Sequence, residues 1–133
     1  MILRRKKLPA ELLKPFSAYL EVVGHLEAAK SALTESVPST RFAGRPLAES
    51  LAEFESRLAE AAGTMHSWRC ADVEEAWQIA NAALTAARSL AERVRLQGDG
   101  PKGFEQLIGL LGDLMSPLDS FEEAVEAFDR LRR

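Results

Sequence analysis

Residues 47–68 read LAESLAEFESRLAEAAGTMHSW, and the spacing of their apolar side chains decides the fold class. Apolar residues recur at alternating intervals of four and three, at positions Leu47, Leu51, Phe54, Leu58, Ala61, Met65 and Trp68. This interval places one apolar stripe along an α-helix, whereas a half-buried strand alternates every second residue. The segment therefore predicts an amphipathic helix that begins at Pro46 and runs to about Arg69.

The same spacing recurs on both sides of this segment and predicts three further helices. The first covers about 9–36, and Pro15 is expected to kink or restart it because proline removes a backbone donor. The third begins with Asp72 as the N-cap and ends at Gly98. The fourth carries its stripe from Phe104 onward, to the end of the chain.

The fourth helix is predicted to be kinked or split near Pro117. Ser120 and the acids that follow it resemble a capping box, which marks a second helix start. Because the connectors are short, neighbouring helices are expected to be antiparallel. The sequence thus predicts an all-α, up-down-up-down four-helix bundle over residues 9–133, preceded by a basic flexible tail over residues 1–8.

Composition supports one soluble helical domain. The chain has 133 residues, of which 47% are hydrophobic and 28% are charged, so it can bury a core and solvate its surface. No segment carries the basic stripe that duplex nucleic acid requires, and nucleic acid is therefore not an expected partner. A single cysteine is consistent with a reducing compartment, and the cytoplasm is the expected location.

The amino terminus carries a basic cluster, Arg4, Arg5, Lys6 and Lys7, beside apolar residues. Pro9 and Glu11 follow where an export signal needs an uninterrupted apolar stretch, so export is not predicted. Membrane contact is expected to be at most peripheral, through these four charges on an anionic surface.

Neither histidine completes a metal motif, and neither a metal nor another cofactor is expected. The residues three positions before His25 and His66 are not glutamates, so the Glu-x-x-His pattern of di-metal bundles is missing. The run from Gly98 to Gly103 matches G-x-G-x-x-G in letters, but a predicted helix precedes it instead of a strand. It is interpreted as a turn between helices.

Cys70 and His66 form the best chemical pair in the sequence. They stand four residues apart, beside Arg69 and just before the third helix, where positive charge and free amides favour a thiolate. No third partner completes a catalytic site, so we expect a packed cysteine and no enzymatic activity, with a reactive thiol as the exception.

The fourth helix has an apolar surface wider than one stripe needs, which indicates an interaction surface. Its predicted members are Phe104, Ile108, Gly109, Leu110, Gly112 and Met115. The leading hypothesis is a non-enzymatic interaction protein that forms homo-oligomers, such as a homodimer, or docks a partner helix. The alternative is a bundle that binds an apolar small molecule or associates peripherally with lipid.

Overall fold

The computed structural model describes residues 6–133, and this part of the chain is all-helical. Its α-helices are α1 (Ala10–Thr34), α2 (Leu47–Thr64), α3 (Glu74–Gln97), α4 (Gly103–Met115) and α5 (Phe121–Arg130). Short 3-10 turns occupy Met65–Trp68, Ala71–Val73 and Ser116–Ser120. The predicted all-α class is confirmed. The alternating direction of the helices and a bend at Pro117 stay predictions.

Two predicted helix ends differ from the structure. The second helix ends at Thr64, directly after the weak helix former Gly63, and continues only as a 3-10 turn to Trp68. Asp72 is not the N-cap of α3, because it lies inside the Ala71–Val73 turn. The predicted helix start at Ser120 is correct, since Ser120 is the N-cap residue of α5, although its side chain makes no capping hydrogen bond.

Pro15 does not restart the first helix. α1 continues through it, because the lost donor removes one hydrogen bond while buried residues on both sides stay packed. Those residues are Leu12 and Tyr19, which both lie in the core.

The two ends of the described chain are joined by backbone hydrogen bonds. The Lys7 amide donates to the Arg133 carbonyl over 3.0 Å, and the Arg133 amide donates to the Lys7 carbonyl over 2.8 Å. Leu8 is buried. The predicted basic tail therefore ends before Lys7, and its residues 1–5 lie outside the described part of the chain.

One hydrophobic core joins the helices, and a cluster of aromatic rings lies at its centre. The rings of Tyr19 and Trp68 meet edge to face with centroids 5.1 Å apart, and Phe16 meets Phe128 in the same way at 5.1 Å. The Tyr19 hydroxyl donates to the backbone carbonyl of Phe121. These contacts hold α1, the turn after α2, and α5 together.

The connector between α1 and α2 folds back tightly on the end of α1. The Arg45 amide donates to the Glu35 carbonyl over 2.8 Å, and the Arg45 guanidinium lies 3.1 Å from the Glu35 carboxylate. Gly44 passes so close to Ser36 that a Cβ atom on residue 44 would overlap the Ser36 carbonyl oxygen. A glycine is therefore required at this position.

We expect Gly44→Ala to lower the free energy of unfolding by about 1–3 kcal/mol, as overpacking does elsewhere. Gly24→Ala is the matched control, because a Cβ atom on Gly24 meets no atom within 4 Å. In the middle of α1 this second change should stabilise the protein by roughly 0.5–1 kcal/mol. Urea unfolding of both variants checks the difference, and a neutral Gly44→Ala would contradict the described connector.

The buried hydroxyl of Tyr19 makes the stability of the fold depend on pH. Burial is the main cause that raises the pKa of Tyr19 from its ordinary value of 10.0 to about 12. The unfolded chain therefore loses this proton first as pH rises, and stability should fall by on the order of 2 kcal/mol between about pH 10 and 12. Below pH 10 this contribution is fully present.

Tyr19 is the chain's single tyrosine, so tyrosinate absorbance reports on it alone. We expect its midpoint in the folded protein to lie well above the midpoint measured in urea. The Tyr19→Phe variant should lose the dependence of stability on pH in this interval. Equal midpoints in folded and unfolded protein would refute a buried Tyr19 hydroxyl.

Candidate functional site

α4 is an apolar helix of which the core covers only one side. It carries seven large apolar residues, and only Leu111 and Leu114 among them are buried. Phe104 is 57% exposed and Ile108 is 42% exposed, and the two lie about one helical turn apart on α4. The amino-terminal half of α4 therefore leaves apolar surface in contact with solvent.

Local interactions explain how α4 begins in the absence of core contacts. Gly103 has a φ of 86°, a conformation that other residues rarely adopt, and it turns the chain into the helix. The backbone amide of Lys102 donates to the side-chain oxygen of Gln106 over 2.7 Å, as in one half of a capping box. Glu105 places negative charge in the first turn, where the helix dipole favours it.

Phe104, Ile108 and Gly112 follow one another at intervals of four residues and so lie along one side of α4. No atom lies within 4 Å of a Cβ atom built on Gly112, and the same is true of Gly109. No neighbouring element of the described chain therefore packs closely against these two glycines. Gly112 instead leaves an open notch at the end of an exposed apolar row.

Met115 extends this row at the end of α4 and is half-buried. We call these four positions the α4 row. Its members are Phe104, Ile108, Gly112 and Met115.

Leu110 does not belong with the other predicted surface residues. It stands two positions after Ile108, which is about 200° around a helix axis. Leu110 is half-buried against the core, on the opposite side of α4 from Ile108. Of the six predicted positions, four are exposed, whereas Leu110 and Met115 are half-buried and pack against the core. A substitution that probes this surface therefore belongs at Ile108.

The proposed thiol pair is not assembled. Among residues 6–133, no hydrogen bond joins the side chain of the half-buried Cys70 to another group, and Cys70 packs against the core. The exposed His66 ring lies against Trp77, with centroids 5.5 Å apart. No hydrogen bond joins the His66 ring to the Cys70 sulfur in this part of the chain, so His66 is not positioned as a base for the thiol.

Arg69 also directs its charge elsewhere. Its guanidinium donates two hydrogen bonds to Glu74, with a shortest distance of 2.7 Å, and lies 4.2 Å from the centre of the Trp77 ring. The hydrogen bonds from Arg69 hold the pKa of Glu74 below its ordinary value. Because this pair is neutral overall, the positive charge next to Cys70 is compensated.

The histidines and the glycine-rich run have structural partners. His25 is only partly exposed, and its Nδ1 atom lies 3.0 Å from the Glu60 carboxylate on α2. Gly98 has a φ of 74° and ends α3, so the glycine-rich run connects two helices. Within residues 6–133, no group of three His, Cys, Asp or Glu side chains is close enough to hold a metal ion.

The basic cluster of the amino terminus is only partly described. Arg4 and Arg5 lie outside the described residues, while Lys6 and Lys7 are exposed. None of the helices described here combines the length and the apolar character needed to cross a membrane.

One apolar groove was not predicted from the sequence. It has a volume of about 330 Å³ and lies between the start of α2, the end of α3 and the following turn. Its walls include Leu47, Leu51, Val94 and Pro101. The helix spacing places Leu47 and Leu51 on the core side of α2, but it cannot reveal that the turn leaves a gap above them.

Comparison with protein-family models, with curated proteins and with solved structures found no significant match to this chain.

Proposed function

We propose that this chain is a protein-interaction module that docks an apolar helical surface onto the α4 row. The observation that carries this proposal is the exposure of Phe104 and Ile108, one helical turn apart on a helix whose other side packs against the core through Leu111 and Leu114. Large exposed apolar side chains that lie together mark interaction sites, whereas scattered ones do not. An antiparallel up-down-up-down bundle in the cytoplasm is the setting that we propose for this module.

Helix-in-groove recognition fits the geometry of the row. Anchors at intervals of three and four residues are what an amphipathic helix presents to a partner. Phe104 supplies the aromatic anchor, because an aromatic ring covers a large area at a small cost in side-chain entropy. The open notch at Gly112 allows a partner side chain to approach the α4 backbone.

The second candidate function is binding of an apolar small molecule. The groove beside Pro101 supports it, since about 330 Å³ lies at the lower end of the range for small-molecule sites. The groove is open to solvent, which argues for the protein partner, because small-molecule sites usually bury most of their ligand.

We expect wild-type protein to associate as its concentration rises from about 1 to about 100 μM, the range of a small interface. Phe104→Glu should abolish this association, because a carboxylate would have to be buried in the contact. Leu13→Glu is the matched control, since Leu13 on α1 is also 57% exposed. Sedimentation velocity measures association, and circular dichroism checks that both variants stay folded.

Binding of a synthetic peptide with the sequence of residues 101–116 provides a second measurement on the same variants. A wild-type chain that stays monomeric and binds no peptide would overturn the proposed function, as would association unaffected by Phe104→Glu. Native mass spectrometry identifies the second candidate directly: an added ligand mass on a monomer would favour the groove over the α4 row.

A further inference from the structure

The α4 row has a symmetry that a random apolar surface lacks. Its largest side chain, Phe104, stands four residues before Ile108, and the residue without a side chain, Gly112, stands four residues after it. A helix rises about 1.5 Å per residue, so Phe104 and Gly112 lie about 6 Å to either side of Ile108 along the axis. Each bulky position thus has an empty position at the same distance on the other side.

Reversing the direction of α4 about Ile108 therefore exchanges the positions of Phe104 and Gly112 and leaves Ile108 in place. Met115 has no counterpart on α4, because the helix begins at Gly103.

From this symmetry we propose that the partner of the α4 row is a second copy of this chain, paired antiparallel about a twofold axis at Ile108. This inference rests on the proposed function. In the pair, Phe104 of each copy fills the notch at Gly112 of the other, and the two Ile108 side chains meet on the axis. Such an interface is isologous, because the same patch of each copy contacts itself in reverse order.

Steric fit distinguishes this arrangement from a parallel pair. In a parallel pair, Phe104 would face Phe104 and Gly112 would face Gly112, which crowds one end and leaves the other empty. The antiparallel pair matches a ring with a notch at both ends. A Cβ atom built on Gly112 meets no side chain within 4 Å, so the space directly above this glycine is open.

The size of the row sets the expected strength of the pair. A helix of 13 residues presents only a short contact, well below the roughly 1,600 Å² of a standard stable interface. Interfaces at the small end of the range form transient complexes. We therefore expect a dimer that dissociates on dilution.

Disulfide trapping tests the register in the full-length chain. Each variant carries Cys70→Ser, which removes the single native thiol, plus one cysteine substitution at an α4 position. Cysteines can be bridged only when their Cα atoms come within about 7 Å, so trapping under mild oxidation reports which positions meet. Leu13→Cys is the control for random collisions, because Leu13 is exposed on another helix.

Ile108→Cys should form a covalent dimer at least about tenfold faster than Leu13→Cys, because pairing raises the effective thiol concentration. A mixture of Phe104→Cys and Gly112→Cys should give mainly the mixed dimer. Phe104→Cys alone should give little, since the two identical positions lie about 12 Å apart along the axis in the antiparallel pair.

Efficient trapping of Phe104→Cys with itself, or of Ile108→Cys no faster than Leu13→Cys, would overturn this inference. If the wild-type chain still binds the α4 peptide in a manner that depends on Phe104, the proposed function survives that failure. If Phe104→Glu left association unchanged, this result would instead overturn the proposed function itself.

Discussion

The edge-to-face contact between Tyr19 and Trp68 is the interaction on which the rest of the structure depends. It joins the middle of α1 to the turn that follows α2, two parts of the chain that are about fifty residues apart in sequence. Around this pair, Phe121 and Phe128 bring α5 into the same cluster. Aromatic pairs of this geometry contribute about 0.5–1.5 kcal/mol each beyond their buried area.

Polar contacts at the edge of this cluster fix its orientation. The Trp77 indole nitrogen donates to the Met65 carbonyl over 2.8 Å, which attaches α3 to the turn after α2. The Tyr19 hydroxyl donates to the Phe121 carbonyl at the start of α5. Both donors are buried and satisfied, so each ring is held in one position without leaving a polar group unpaired.

This arrangement determines how much of the surface of α4 is covered by the core. The aromatic cluster holds α5, while α4 contributes only Leu111 and Leu114 to the buried core, and both lie in its carboxyl-terminal half. In the amino-terminal half, the half-buried Leu107 packs against the core, and the hydrogen bond from Lys102 to Gln106 holds the start of the helix. An apolar helix held in this way can keep its shape while one side stays free for a partner, which is what a docking surface requires.

The four-and-three spacing of apolar residues predicted the helices and much of the core, because the periodicity of a helix is a local property of the chain. Trp68 and Leu58 were placed on the core side by spacing alone, and both are fully buried. Spacing did not predict which residues cap the helices, since Asp72 has a suitable side chain but the chain enters a 3-10 turn there. The residue at which a helix begins depends on how neighbouring elements pack, and a local sequence pattern does not contain this information.

The candidate surface was predictable only in part. The wide apolar surface of α4 indicated that this helix needs more than one neighbour. The prediction based on this width placed Leu110 on the same surface as Ile108. The angle between them, together with the stripe through Leu111 and Leu114, was the signal in the sequence that separates the two. The groove beside Pro101 and the high pKa of Tyr19 depend on tertiary packing, so they cannot be predicted from the spacing of residues in the sequence.

The central claim is that the fold does not need the α4 row. It is tested most directly by the free energy of unfolding of Ile108→Ala and Leu114→Ala, measured in urea at a protein concentration low enough to keep the chain monomeric. Leu114→Ala should cost about 2–5 kcal/mol, because it leaves a cavity in the core. Ile108→Ala should stay within about 0.5 kcal/mol of wild type, as surface substitutions do. Equal losses in the two variants would show that Ile108 is part of the core, and would contradict the account.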